Sequence, residues 1–319
     1  MDVIQHRTIT VNGLSMHVAE AGTGPLVLLL HGFPELWYSW RHQLPVLAAA
    51  GYHAVAPDLR GHGRTQAPVD VEDYGMAAHV ADAVGVLDAL GESTAVLVGH
   101  DWGASTAWAA AELHPERFTA VAAPSVPDRP RSPRPPLTEL RSFAGDRFNW
   151  MLYFQEPGVA EADLSADVAR TMRLMMYGLS GDAGDTGVRM VTGLPRDAVL
   201  LDQMPEPEAP AAWLTETDLA YYVDEYERTG FTGGLNRYRN ADLDWELLPE
   251  LGTGVIAQPA LFVGGDLDTA VRFADPNRMR NHIPNLTGPI VLPGAGHWIQ
   301  QERSDEVNHA LLTFLRTVD

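Results

Sequence analysis

Short apolar runs recur along the first 125 residues, separated by polar or amphipathic stretches. Leu26–Leu30, His53–Ala56, Thr94–Val98 and Thr119–Ala123 are nearly unbroken in apolar character, the pattern of strands buried on both faces. Between two of them, Met76, Val80, Ala83, Val84, Leu87 and Leu90 fall at helical spacing and predict a helix over Met76–Leu90. Upstream, Arg7–Val11 and Leu14–Glu20 flank Asn12-Gly13, a strong two-residue hairpin signal. Two further runs, Ala260–Val263 and Pro289–Leu292, resume the pattern late in the chain. Buried strands alternating with helices predict an α/β protein whose mostly parallel sheet is flanked by helices.

The alternation breaks after Ala123. Pro124, Pro127, Pro130, Pro133, Pro135 and Pro136 crowd a stretch that cannot be a helix interior or a central strand. From there to Leu247 the chain reads as aromatic-rich helical segments joined by loops, including Gly178–Thr192 and Gln203–Pro210. The expected organisation is a core of residues 1–127 and 248–319 interrupted by a helical cap of residues 128–247. A lid over such a core makes a buried pocket at their junction.

Charge and composition narrow the chemistry. The net charge of −20 argues against nucleic acid and anionic membrane surfaces as partners. The chain has no cysteine, which excludes disulfides, thiolate metal sites and a cysteine nucleophile. It has no lysine either, which excludes Schiff-base chemistry and a phosphate-loop lysine. His31, His42, His62 and His114 lack paired metal-ligand spacing and read as structural or exposed, so no metal or cofactor is expected. The first residues lack a basic segment followed by an apolar one, and the longest apolar run, Pro25–Leu30, is too short to span a bilayer. A cytoplasmic protein, monomeric or homodimeric, is the expectation.

One segment carries most of the functional information. Gly99-His100-Asp101-Trp102-Gly103 follows an apolar strand and precedes a small-residue helix, the strand–turn–helix geometry of a nucleophile elbow. The tip is Asp rather than Ser. A carboxylate is nucleophilic without losing a proton, and it attacks saturated carbon to form an alkyl ester. Such a nucleophile needs a base and a group to orient that base. The late strand Ala260–Val263 leads to Asp266 and Asp268, of which Asp268 is the preferred orienting acid and Asp266 the alternative. The loop after Pro289–Leu292 holds His297, the expected base. Backbone N–H groups of Phe33 and Trp102 are the expected oxyanion-hole donors, and Phe33-Pro34 is a candidate cis bond.

These residues resemble the soluble epoxide hydrolases of the α/β-hydrolase fold superfamily over nearly the whole chain. The shared words are His31-Gly32-Phe33-Pro34-Glu35, Trp40-Arg41, Asp58-Leu59-Arg60-Gly61-His62-Gly63, the elbow itself and Gly294-Ala295-Gly296-His297-Trp298. The cap adds Phe154-Gln155-Glu156-Pro157-Gly158-Val159-Ala160-Glu161 and Gly234-Leu235-Asn236-Arg237-Tyr238-Arg239-Asn240, which are more specific to epoxide hydrolases. The resemblance implies that two cap tyrosines hold and protonate the epoxide oxygen. One matches Tyr238. The other position holds Trp150, whose indole N–H donates a hydrogen bond but is no acid near neutral pH. Trp150 then either orients the substrate or forms pocket wall, and Tyr153 lies close by in sequence. Trp37 and Pro34 complete the expected substrate-binding set, with ordinary core as the competing reading of Trp37 and Tyr153. The implied reaction converts a lipophilic epoxide and water to a vicinal diol. The alternatives are a haloalkane dehalogenase, which shares Trp102 as a halide donor, and a non-catalytic ligand receptor.

Overall fold

The computed structural model describes residues 4–186, 194–209 and 211–318. Asn12 (φ 51°) and Gly13 (φ 82°) take the left-handed conformations that a tight hairpin turn requires. They join β1 (Gln5–Val11) to β2 (Leu14–Ala21). Six more strands follow: β3 (Leu26–Leu30), β4 (His53–Pro57), β5 (Ala95–Gly99), β6 (Phe118–Pro124), β7 (Ala260–Gly265) and β8 (Leu286–Leu292). They form one eight-stranded sheet in the order β1-β2-β4-β3-β5-β6-β7-β8. The β1–β2 and β2–β4 pairs are antiparallel and the remaining pairs parallel.

β3 and β7 are buried at every position, as their continuous apolar sequences require. β8 begins at Leu286, earlier than its apolar run at Pro289. Leu286 and Thr287 pair with β7 before an irregularity in the ladder, near the cis bond Gly288-Pro289. An edge strand tolerates Gly and Pro, which hide it from a hydrophobicity pattern.

The core helices are α1 (Gln43–Ala49), α2 (Met76–Leu90) and α3 (Trp102–Leu113). The cap supplies α4 (Pro136–Ala144), α5 (Trp150–Tyr153), α6 (Val159–Ser165), α7 (Val168–Gly178), α8 (Glu216–Thr229), α9 (Thr232–Arg239) and α10 (Ala241–Leu247). After β7 come α11 (Thr269–Arg272), α12 (Ile299–Glu302) and α13 (Ser304–Leu315). Alternate residues of β3 face opposite layers. Leu26, Leu28 and Leu30 pack with Val80 and Leu87 of α2 and Trp108 of α3, whereas Val27 and Leu29 pack with Leu44 of α1 and Leu311 and Phe314 of α13.

The proline stretch is irregular until Pro136, which opens α4 at the one helical end where its missing N–H is no loss. Asn149 caps α5 by accepting from Met151 N–H, and Thr215 with Asp218 forms a capping box on α8. Of the expected loop Gly178–Thr192, the structure shows the end of α7 and a short turn at Gly181–Ala183, while 187–193 lie outside the described residues. Gln203 closes a short helical turn and the chain is irregular beyond it; Pro210 also lies outside the described residues.

The cap's hydrophobic cluster, including Phe154, Leu164, Met172, Tyr222 and Leu235, also takes in Phe33, Leu36 and Trp298 from the core. Polar contacts reinforce the seam: Arg41 to Asp218 at 3.1 Å, Arg64 to Glu225 at 2.9 Å and Ser39 to Tyr222 at 2.7 Å. Among the described residues, no helix is long and apolar enough to cross a membrane.

Candidate active site

Asp101 stands between β5 and α3 at φ 52°, ψ −119°, a conformation that an ordinary residue rarely adopts. Its two flanking glycines explain how the turn closes. A Cβ on Gly99 would lie 2.0 Å from the Gly103 carbonyl oxygen, and one on Gly103 would lie 2.1 Å from that of Leu30. The Asp101 carboxylate has two distinct oxygens. Oδ1 accepts from the Phe33 N–H at 2.9 Å, whereas Oδ2 faces His297 Nε2 at 3.6 Å. Trp102 is the first residue of α3, where a helix leaves its N–H groups without intrahelical partners.

His297 Nδ1 turns the other way, 3.3 Å from each oxygen of Asp268. Asp268 is fully enclosed and also caps α11 by accepting from Ala270 N–H at 2.9 Å. Asp266 is exposed and accepts from Gly294 N–H at 2.7 Å, shaping the loop instead of facing the imidazole. Burial alone would raise the Asp268 pKa. The positive charge of His297 and hydrogen bonds from His297, Ser125 and Ala270 outweigh it and hold the group below the usual carboxylate range. For His297, burial pushes the pKa down, but the Asp268 charge and the hydrogen bond and charge of Asp101 carry it well above the ordinary value. The imidazole therefore stands between two carboxylates, both of which favour its protonated form.

The loop carrying His297 is pinned by Glu302, which accepts from the backbone N–H groups of Gly296 and Trp298 at 2.9 Å each and of Gly181 in the cap at 2.8 Å. His297 N–H itself donates to the cap carbonyl of Leu179 at 2.9 Å. Beneath the imidazole, His100 lies 4.9 Å away between ring centres. Its Nδ1 is 2.6 Å from Glu35 Oε2 and its Nε2 donates to the His297 carbonyl at 2.7 Å.

The opposite wall comes from the cap. Tyr238 on α9 is buried, with its ring edge-to-face against Phe154 and Trp102 at 5.0 Å and Phe33 at 5.9 Å. Burial, and then the nearby Asp101 charge, push its hydroxyl pKa well up, with the Trp102 indole and the Arg237 cation pulling the other way. The buried Arg237 guanidinium sits 4.3 Å over the Trp102 ring and pairs with Asp244 at 2.6 Å. The buried Trp102 Nε1 faces the Tyr238 hydroxyl and has no other hydrogen-bond partner among the described residues. Trp150 opens α5, half-buried and packed against the cap cluster.

The chain matches the α/β hydrolase fold family over residues 25–304. It is 47% identical to epoxide hydrolase A of Mycobacterium tuberculosis, covering 97% of this chain and 96% of that protein. It is 42% identical to epoxide hydrolase 1 of Siraitia grosvenorii, covering 99% of each. Its fold superposes on the crystal structure of epoxide hydrolase A from Mycobacterium thermoresistibile with a TM-score of 0.93, 49% identity and 98% of each chain covered. The chain belongs to the epoxide hydrolases of the α/β-hydrolase fold.

In this epoxide hydrolase, Asp101, His297, Asp268, Phe33 and Tyr238 come together as their positions in the sequence suggested. Pro34 is buried beside them, in cis linkage to Phe33. Two expected pocket residues have their polar ends engaged elsewhere. The Tyr153 hydroxyl donates to Asp163 at 3.1 Å, which, with burial, holds its proton tightly. The Trp37 indole donates to Tyr221 at 2.7 Å, and its ring lies edge-on to His6 within the core layer on the α1 side. Ser125, His100, Glu35 and Arg237 belong to the site's surroundings; the last three stand in the shared motifs without an assigned role, and Ser125 escaped the sequence reading. Ser125 directly follows the predicted strand and Pro124, and that position at a strand's carboxyl end is the one signal that pointed to it.

Proposed function

We propose that this epoxide hydrolase opens a lipophilic epoxide through an alkyl ester on Asp101. The observation that carries the reading is the asymmetry of that carboxylate, with Oδ1 on the Phe33 N–H and Oδ2 directed toward the base. Oδ2 attacks an epoxide carbon and the carbon–oxygen bond breaks. The Tyr238 hydroxyl donates its proton to the departing oxygen. Alkylation removes the Asp101 charge that had raised the His297 pKa. His297 then releases its proton, which restores Tyr238, and becomes a neutral base oriented by Asp268.

A water gives its proton to His297 and adds to the Asp101 carbonyl carbon. The Oδ1 oxyanion is held by the Phe33 and Trp102 N–H groups. Collapse expels the diol, whose alkoxide takes the proton of the regenerated carboxylic acid. The aromatic walls formed by Phe33, Trp102, Phe154 and Tyr238 suit an uncharged apolar substrate. We assign residues 128–247 to the cap and the flanking segments, 1–127 and 248–319, to the core.

The test is intact-protein mass after exposing His297→Gln to an aryl epoxide. An adduct localised to Asp101 supports the reading. No adduct, together with an active Asp101→Asn variant, overturns it. The buried Trp102 Nε1, which faces the Tyr238 hydroxyl, is also a suitable halide donor, so halide release from bromoalkanes is measured in parallel.

A further inference from the structure

Ser125 lies just past β6, fully buried, at φ 77°. A non-glycine residue seldom adopts that conformation, so something fixes it there. Its N–H donates to the Val263 carbonyl at 2.8 Å, locking the residue against β7. Its hydroxyl stands between the acid and the base. Oγ is 2.5 Å from Asp268 Oδ2 and 2.9 Å from His297 Nδ1. The direct Asp268–His297 contacts are longer, at 3.3 Å to each oxygen.

A hydroxyl has one proton and two lone pairs. The shorter contact is to a carboxylate, which can only accept, so the Ser125 proton goes to Asp268. A lone pair of the same oxygen then faces the His297 ring. The ring nitrogen that it meets must be protonated, which leaves Nε2 as the basic nitrogen toward Asp101. Nδ1–H is thus shared between Ser125 and Asp268, and the serine fixes both the tautomer and the tilt of the imidazole.

We propose that Ser125 is a positioning residue for ester hydrolysis, a hydroxyl wedged between Asp268 and His297 that aims the base. This rests on the reading of His297 as the base. It separates the two half-reactions, because alkylation uses Asp101 and Tyr238 and needs no neutral imidazole.

Rapid-quench single-turnover kinetics on an aryl epoxide read both steps. Ser125→Gly keeps the backbone conformation free of strain and removes the hydroxymethyl side chain. It is expected to alkylate at close to the parent rate and to hydrolyse the ester about tenfold or more slowly, a part of what a general base contributes. The Asp101 ester then accumulates to a visible mass adduct in the steady state. Ser125→Asn tolerates the same backbone and offers both an N–H to Asp268 and an oxygen to Nδ1, so it recovers much of the hydrolysis rate. Unchanged hydrolysis in Ser125→Gly, or equal slowing of both steps, overturns the proposal. If Ser125→Gly fails to fold, Ser125→Asn decides alone: near-parent hydrolysis of the ester supports the role, and hydrolysis and alkylation slowed equally relative to the parent overturn it. Absence of any adduct in His297→Gln is a separate failure, of the base assignment itself.

Discussion

The core contributes Asp101, Asp268 and His297 from loops at the carboxyl ends of β5, β7 and β8, and backbone geometry fixes each of them. Two glycines close the elbow, a helix start holds Asp268, and Glu302 gathers the amides on either side of His297. The cap contributes Tyr238 from a helix set by aromatic packing and by hydrogen bonds of Gln155, Arg239 and Asn240 to main-chain carbonyls, and Trp150 packs against the same cluster. One side of the site is thus specified by turns, helix starts and loop amides, and the other by side chains that pack and hydrogen-bond around Tyr238. The side held by backbone leaves little room for substitution, since a Cβ on Gly99 or Gly103 would collide with a carbonyl, whereas the packed side depends on how its rings fit together.

The contrast predicts graded consequences. Asp101→Asn removes the nucleophile and should lower turnover by about 10⁴-fold or more. It also removes a charge that raises the His297 pKa, so the imidazole pKa, followed by NMR, should fall relative to the parent protein; an unmoved value would contradict the coupling. The same sign governs the alkyl-enzyme. With Asp101 esterified, His297 is the active neutral base above its lowered pKa, so the ester-hydrolysis rate should rise with pH through that value and then level off.

Tyr238→Phe tests the cap wall. Loss of the proton donor should slow alkylation by about 10²-fold while leaving hydrolysis of a preformed ester nearly unchanged. Arg237→Met should slow alkylation by a few-fold, about the worth of a desolvated cation–π contact and a nearby charge on Tyr238. Trp150→Phe is the smallest effect if the indole is only wall; a loss beyond about tenfold, more than a neutral hydrogen bond supplies, would give its N–H a part in holding the epoxide oxygen.

The sequence revealed the parts that repeat a local physical rule. Continuous apolar runs located the buried strands, and the helical periodicity of Met76–Leu90 matched α2 to the residue. Small residues around Asp101 marked a turn that only glycine permits. The start of β8 was hidden because an edge strand can carry Gly288 and Pro289. Trp37 and Tyr153 look like any pocket aromatic in sequence, since nothing local records that Tyr221 and Asp163 engage them. Ser125 is equally ordinary as a residue type. Its meaning comes from Asp268 and His297, which are distant in sequence and meet it only after β6, β7 and β8 pair.

The Glu302 carboxylate and the Leu179 carbonyl also make the catalytic base partly a tenant of the cap. A Cβ on Gly296 would lie 2.3 Å from Gly181 N, so the two segments touch backbone to backbone. A cap swinging open as a rigid flap would pull the Gly181 and Leu179 hydrogen bonds off the histidine loop and unseat the imidazole. An opening that spares this corner would instead leave both hydrogen bonds to the histidine loop in place. Changes that loosen this corner should appear first as a misaimed base, before any widening of the entrance.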